Sequence, residues 1–397
     1  MSAATVWLLA ISTGCIVANI HYAQPLLADI ARDFGLSVVK VGAVAMITQV
    51  GMAAGLLVFV PLGDKFERRS LISTLLVGAS LSLALMAGAP NVIWLSVAAL
   101  AVGATAATVH IIVPLAAHLA PAYKRGQIVG SVLSGLLVGI LLARAFSGLF
   151  GARYGWRAVY ATAAVAMSVL AVLLRAALPI SRPDAAPSWR ALMRSIAALA
   201  AEHGVLRESA LISSMLFFAF SALWTTLVFV LKTPPYHYGT AAAGMIGLLG
   251  ASGAIAAPLI GRFSDKRGPE RAVLIGIVAT ILGYLVLAVA GRSFAGLILG
   301  IIIIDAGVQT GHVANQSRIY NLAADARSRL NTFYMVAFFA GGALGSYCGT
   351  LGWKLWGWAG FCGLPLVALT FALVYFVHAS SGRSLTEVHS AACEPTG

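Results

Sequence analysis

Polar residues along this chain come in short clusters, and between them the sequence stays apolar for about 20 residues or more at a time, the length a helix needs to cross a bilayer. The apolar runs fall at 5–27, 39–60, 70–89, 92–117, 127–150, 156–178, 209–231, 241–262, 272–290, 294–317, 331–351 and 356–378, and the clusters that separate them are rich in Arg, Lys, Gly and Pro. The strict apolar/polar alternation of an outer-membrane strand is absent, so the backbone polar groups must be paired inside helices. The pattern predicts an all-α membrane protein with twelve transmembrane helices. No basic residue precedes the first run and no small-residue cleavage site follows it ahead of a soluble domain, so it reads as a retained helix and not as a signal peptide.

Composition agrees with this picture. Of 397 residues 60% are hydrophobic and 10% charged, where a soluble domain carries about a quarter charged residues. The net charge of +13 follows from topology. With the N-terminus cytoplasmic, 18 of the 26 Lys and Arg residues fall in inner loops, 7 in outer loops, and Arg144 lies within a span. This asymmetry places both termini inside, where anionic lipid headgroups meet the basic loops. A nucleic-acid partner is not needed to explain the charge. Cys15, Cys348 and Cys362 lie in helices and Cys393 in the tail, with no spacing that would clamp a metal or staple a loop.

The chain also repeats itself. VPLGDKFERRSLI around Asp64 matches GRFSDKRGPERAVLI around Asp265, HLAPAYKRGQ at 118 matches NLAADARSRL at 321, and GWR at 155 matches GWA at 357, all at an offset of about 200 residues. The expected organisation is a six-helix half over 1–179, a linker over 180–207, a second six-helix half over 208–378 and a cytoplasmic tail over 379–397. Within the linker, SWRALMRSIAALAAEH has one apolar face opposite Arg190 and Arg194. That face suits a helix lying on the inner membrane surface, and a plain linker fits the sequence equally.

The duplicated loop resembles the signature of the major facilitator superfamily, which is the standing example of twelve-helix transporters built from two such halves. The second copy matches it through Gly261, Asp265, Lys266, Gly268 and Arg271, and the first keeps Asp64, Lys65, Arg68 and Arg69. NIHYAQPLL at 19 and SGLLVGILLARAFSG at 134 resemble a bacterial branch of drug or arabinose-type efflux proteins. The resemblance implies a fold of two pseudo-symmetric six-helix bundles, transport by alternating access, function as a monomer in the bacterial inner membrane, and a small-molecule substrate exchanged against protons. It further implies that Asp64 docks at the N-terminal end of the eleventh helix near Arg329 to Asn331 as an inner gate, and that the first, fourth, seventh and tenth helices line the cavity. The antiporter signature of the fifth helix is half kept. Arg144 stands where its Gly-Pro pair would be, while small residues at 135, 139, 143, 147 and 148 still permit close helix packing.

Charges at bilayer depth mark the chemistry. Twelve of the 13 acidic residues fall in loops, interfaces or the tail by these spans, which leaves Asp305 inside one. A carboxylate there costs about 2.5–3.5 kcal/mol, so it faces a cavity or a partner. Asp305, Gln309, His312 and Gln316 are spaced for one helix face. Burial disfavours the charged form of a lone carboxylate, which suits a group that takes up and returns a proton. Two readings of Asp305 follow: a proton site with His312 as a nearby relay, or a bond to a neighbouring helix. Arg144 also has two, a cavity cation holding a substrate anion or Asp305, or a side chain snorkelling to the outer surface. Softer substrate-cavity candidates are Asn19, His21, Tyr22 and Gln24 on the first helix, Gln49 on the second, His110 on the fourth, Ser221, Trp224 and Thr225 on the seventh, Gln309 on the tenth and Tyr334 on the eleventh. Each of these also fits a helix-to-helix hydrogen bond.

No Walker loop, metal cluster or catalytic Ser, His, Asp spacing occurs. The expectation is a transporter without cofactor, proton-coupled for efflux of small organic compounds or drugs. The alternative is uptake or exchange of a small organic anion, favoured by Arg144, His21, His110 and His312.

Overall fold

The computed structural model describes residues 2–63, 65–181, 188–253, 268–323 and 326–392, and among these the regular structure is helical throughout. Helix α1 (Ala3–Ala18) starts on Ser2, whose hydroxyl accepts from the Thr5 amide at 3.2 Å. After a break at 19–22 the chain resumes as α2 (Ala23–Asp33). The break has a covalent cause. Pro25 has no N–H to give the His21 carbonyl and its ring crowds that carbonyl, so the amides of Asn19, Ile20 and His21 turn to acceptors three residues back. The same arrangement recurs where α5 (Val92–Ala106) gives way to α6 (Val109–Leu119), with Pro114 four residues after His110. The runs predicted as two single helices are therefore two broken ones.

The remaining helices are α3 (Val38–Leu62), α4 (Arg68–Ala87), α7 (Arg125–Tyr154), α8 (Trp156–Ala177), α9 (Trp189–Glu202), α10 (Gly204–Lys232), α11 (Thr240–Ile246), α12 (Pro269–Ala290), α13 (Phe294–Tyr320) and α14 (Arg327–Ala392). Gly357, at φ 55° and ψ −129°, bends α14 where the sequence separates the spans 331–351 and 356–378. Ten stretches among the described residues are long and apolar enough to cross a membrane. With α14 divided at its bend, the described helices supply eleven of the twelve expected spans, and α11 opens the twelfth, predicted at 241–262. Residues 254–267 of that run and of the loop after it lie outside the described part. The amphipathic segment of the linker is helical as α9, capped by Ser188 on the Ala191 amide.

Small residues set how closely these helices meet. Helix α7 lies against α1, and a Cβ placed on Gly139 or Gly135 would fall 2.3 Å from the Gly14 oxygen or 2.2 Å from the Ala10 oxygen. In the absence of a hydrophobic drive between helices in lipid, this close backbone approach is what holds them. Helices before the linker meet helices after it along α3 with α14, α7 with α11, and α2 with α10. At the first of these Gly42 faces the Thr350 side chain, and at the second Gly148 faces Gly244. Replacing Gly139 by Val should force α1 and α7 apart and destabilise the protein by about 1–3 kcal/mol, the usual overpacking cost. Thermal unfolding in detergent checks this, and a midpoint equal to the parent's would show that the contact gives way freely.

Candidate functional site

Asp305 lies midway along α13 and is 2% exposed, and Arg144 lies late in α7 and is 1% exposed. Snorkelling is ruled out by that burial, since the guanidinium sits inside the bundle. Two glycines after α11 make room for it. A Cβ on Gly247 would meet the Arg144 stem at 2.5 Å, and one on Gly250 would lie 3.2 Å from Asp305 Oδ2 and 3.3 Å from Arg144 Nη1. The two charges thus face each other across Gly250, and among the described residues no direct ion pair joins them. Trp224 of α10 sits between: its Nε1 donates to Asp305 Oδ1 at 3.1 Å, while the Arg144 guanidinium carbon lies 3.9 Å from the centre of its ring. Arg144 Nε donates to Gln24 Oε1 at 2.6 Å. A four-residue network, Gln24, Arg144, Trp224 and Asp305, therefore joins α2 and α7 to α10 and α13. A cation over a desolvated tryptophan ring contributes up to about 2 kcal/mol, well short of the cost of burying two ions, so this arrangement is not explained by stability.

Several polar atoms of the candidate residues are buried without a hydrogen-bond partner: Arg144 Nη2, Asn19 Oδ1, His21 Nδ1, Gln49 Oε1 and Ser221 Oγ. Each such atom costs about 1–3 kcal/mol if left dry. Asn19 and His21 lie in the break before α2, Gln49 on α3, Arg144 on α7 and Ser221 on α10, and a polar solute or water reaching them would satisfy them.

A second cluster involves His312 of the α13 stripe. Tyr334 Oη sits 2.9 Å from His312 Nδ1 and donates to Ser213 Oγ at 2.8 Å, and Asn315 Nδ2 donates to the same hydroxyl at 3.1 Å. Arg318 Nη1 reaches Asn315 Oδ1 at 3.4 Å, and its Nη2 pairs with Glu208 at 3.0 Å and Glu270 at 3.3 Å. This corrects the placement of two charges. Glu208 is 3% exposed within α10 and Arg318 5% exposed within α13, so neither belongs to a loop or a membrane surface. Both helices run past the ends of their apolar runs, which hid the pair. Arg318→Met should take this buried cation from Glu208, at a cost of about 3 kcal/mol, and adding Glu208→Gln should restore much of it. Unfolding midpoints of the two variants decide, and equal loss in both would contradict a specific pairing.

The other candidates are spread around these clusters. Tyr22 packs on Phe146 with ring centres 5.8 Å apart, Thr225 and Ser346 share a hydrogen bond at 3.1 Å, and Gln309 packs where Gly253 leaves space. Phe217 stacks on Phe338 at 3.8 Å, and His312 lies 4.5 Å from Phe338, so aromatic rings continue from Trp224 toward Tyr334. His110 opens α6 beside the break. Of the loop motifs, Asp64, Gly261, Asp265 and Lys266 lie outside the described residues. Arg68 Nε donates to the Gly63 carbonyl at 3.1 Å and Arg69 Nη1 to that of Leu178 at 3.4 Å; Lys65 lies over the Phe66 ring, Gly268 takes φ 86°, and Arg271 is exposed. Glu67 caps α4. Partial burial pushes its carboxyl up, and hydrogen bonds from Ser70 and from the amides of Ser70, Arg69 and Ser181 outweigh this and hold it below the usual range. Arg329 donates to Ser195 of α9, tying the linker helix to the start of α14.

The model of the Major Facilitator Superfamily matches residues 9–346 and 253–390. The chain belongs to that superfamily. It is a multi-pass membrane transporter and not an enzyme. Relatives of this facilitator include the uncharacterized transporter YgaY of Escherichia coli O157:H7, 39% identical over 374 residues and 94% of each chain. The probable transporter SCO4007 of Streptomyces coelicolor is 36% identical over 89% of this chain and 83% of its own length. Among solved structures, the nucleoside transporter NupG superposes with a TM-score of 0.75 at 14% identity, covering 95% of this chain and 98% of that one, a likeness of fold.

Proposed function

We propose that this facilitator is a secondary active transporter of the bacterial inner membrane that exports small organic compounds, drugs included, in exchange for protons. The observation that carries this reading is Asp305 held opposite Arg144 across Gly250, a carboxylate on a helix after the linker and a cation on a helix before it. While Asp305 is ionised it attracts Arg144 across the interface; once protonated it does not, and the balance between two packings of the helices shifts. A solute that binds at the carboxylate competes with the proton for it, which is what antiport requires. The aromatic run Trp224, Phe220, Phe217 and Phe338 supplies an apolar wall suited to drug-sized molecules. His312, hydrogen-bonded to Tyr334, is the neighbouring relay.

In this reading the halves 1–179 and 208–378 rock about the site, with both termini cytoplasmic as the distribution of Lys and Arg favours. Asp64, Lys65, Arg68 and Arg69, with Gly261, Asp265, Lys266, Gly268 and Arg271, serve the inner gate. The buried and unpartnered Arg144 Nη2 favours a second reading, uptake or exchange of a small organic anion that the guanidinium would grip.

Proton release from purified, reconstituted protein on adding a panel of candidate solutes separates the two, with Asp305→Asn measured beside the parent. The expected result is release by the parent on adding a transported solute and none by Asp305→Asn. Equal release by both would remove Asp305 from the proton path, and solute binding without release by either would leave the anion reading.

A further inference from the structure

At the end of the bundle that carries the loops 34–37 and 233–239, a polar cleft of about 460 Å³ opens between α2, the end of α7, the start of α8, the end of α10 and the start of α11. Asp29 of α2 stands at its wall, with 15% of its side chain exposed. Its Oδ1 receives Lys232 Nζ, the last residue of α10, at 3.1 Å, and its Oδ2 receives the hydroxyl of Thr240, the first residue of α11. Both partners come from helices after the linker, so this one carboxylate ties the two groups of helices together. Neighbouring polar contacts differ in this respect. Asp33 accepts from Trp156 Nε1 at 2.6 Å within the first group, and Tyr236 donates to the Gly291 carbonyl within the second.

We propose that Asp29, Lys232 and Thr240 form a latch that holds this end of the transporter shut, and that it breaks each time α2 leaves α10 and α11. The contact is built for reversible use. Arg32, one turn along α2, already lies 3.2 Å from Asp29 and is 73% exposed, so the carboxylate keeps a cation on its own helix when the groups part. A carboxylate stranded without a partner would make rupture far costlier. The latch also shares its elements with the buried charges: Gln24 and Asp29 both lie on α2, Trp224 and Lys232 are 8 residues apart on α10, and α11 leads from Thr240 to Gly247 against Arg144. Movement that separates Gln24 from Trp224 therefore pulls Asp29 from Lys232.

The test uses full-length protein in micelles without solute or pH gradient, so its outcome is independent of whether Asp305 carries protons and of which way the termini face. The four native cysteines are replaced and a single cysteine is placed at Ala243, which lies one turn into α11 and is 5% exposed. The rate at which a polar maleimide modifies it reports opening of this end. Asp29→Asn and Lys232→Met should each raise the rate about five-fold, and the double variant should rise no further than the faster single. Arg32→Gln should lower it, because Arg32 is the one of these three partners that stays with Asp29 when the groups part, so its loss costs the open state more than the closed one, and general loosening of the fold would not produce this sign. Thermal unfolding midpoints are recorded alongside, and Asp29→Glu, which keeps the charge, should stay near the parent. Rates at the parent level in both singles, additive increases in the double, or a faster rate in Arg32→Gln would each overturn the latch.

Discussion

The buried carboxylate of Asp305, set across Gly250 from the buried guanidinium of Arg144, is the constraint around which the rest of this transporter is arranged. Neither charge could persist at that depth in lipid without a specific surrounding. Gly247 and Gly250 give Arg144 its space, Gln24 fixes its Nε, and the Trp224 ring lies between the two charges while its indole N–H holds Asp305. Four helices drawn from both sides of the linker meet there. The energy for this comes from elsewhere, from close glycine-mediated contacts such as α1 on α7 and α10 on α14, which tolerate an expensive polar centre because they do not depend on it.

Much of this was legible from the residues. The apolar runs predict the helices, the repeated loops predict the duplication, and Asp305 and Arg144 stand out because a charge in an apolar run has few bland explanations. The breaks at 19–22 and 107–108 were less visible, although Pro25 and Pro114 signal both: each removes a donor four residues after a histidine. Glu208 and Arg318 were hidden by a different effect. They lie where an apolar run shades into polar sequence, and only the helices' extension past those ends buries them together. Gln24 stands out in the sequence as a cavity candidate without its partner, and Asp29 does not stand out at all, since their partners Arg144, Lys232 and Thr240 are more than a hundred residues away. Sequence periodicity gives the face a residue occupies; it does not give which distant helix that face will meet.

The site and the latch also suggest how a small chemical event becomes a large movement. In the proposed mechanism protonation changes one charge at Asp305, yet that charge faces a cation on the opposite group of helices, along an interface that Asp29 also bridges. Packed interfaces switch between discrete arrangements and do not deform smoothly, so a bias of a few kcal/mol is enough to choose between them.

Infrared difference spectroscopy of the reconstituted protein between high and low pH tests the central claim without knowledge of any solute. The account predicts a protonated-carboxyl stretch that appears on acidification, is missing from Asp305→Asn, and moves when Arg144 is replaced by Met. A carboxyl spectrum that is the same in the parent and in Asp305→Asn would contradict it.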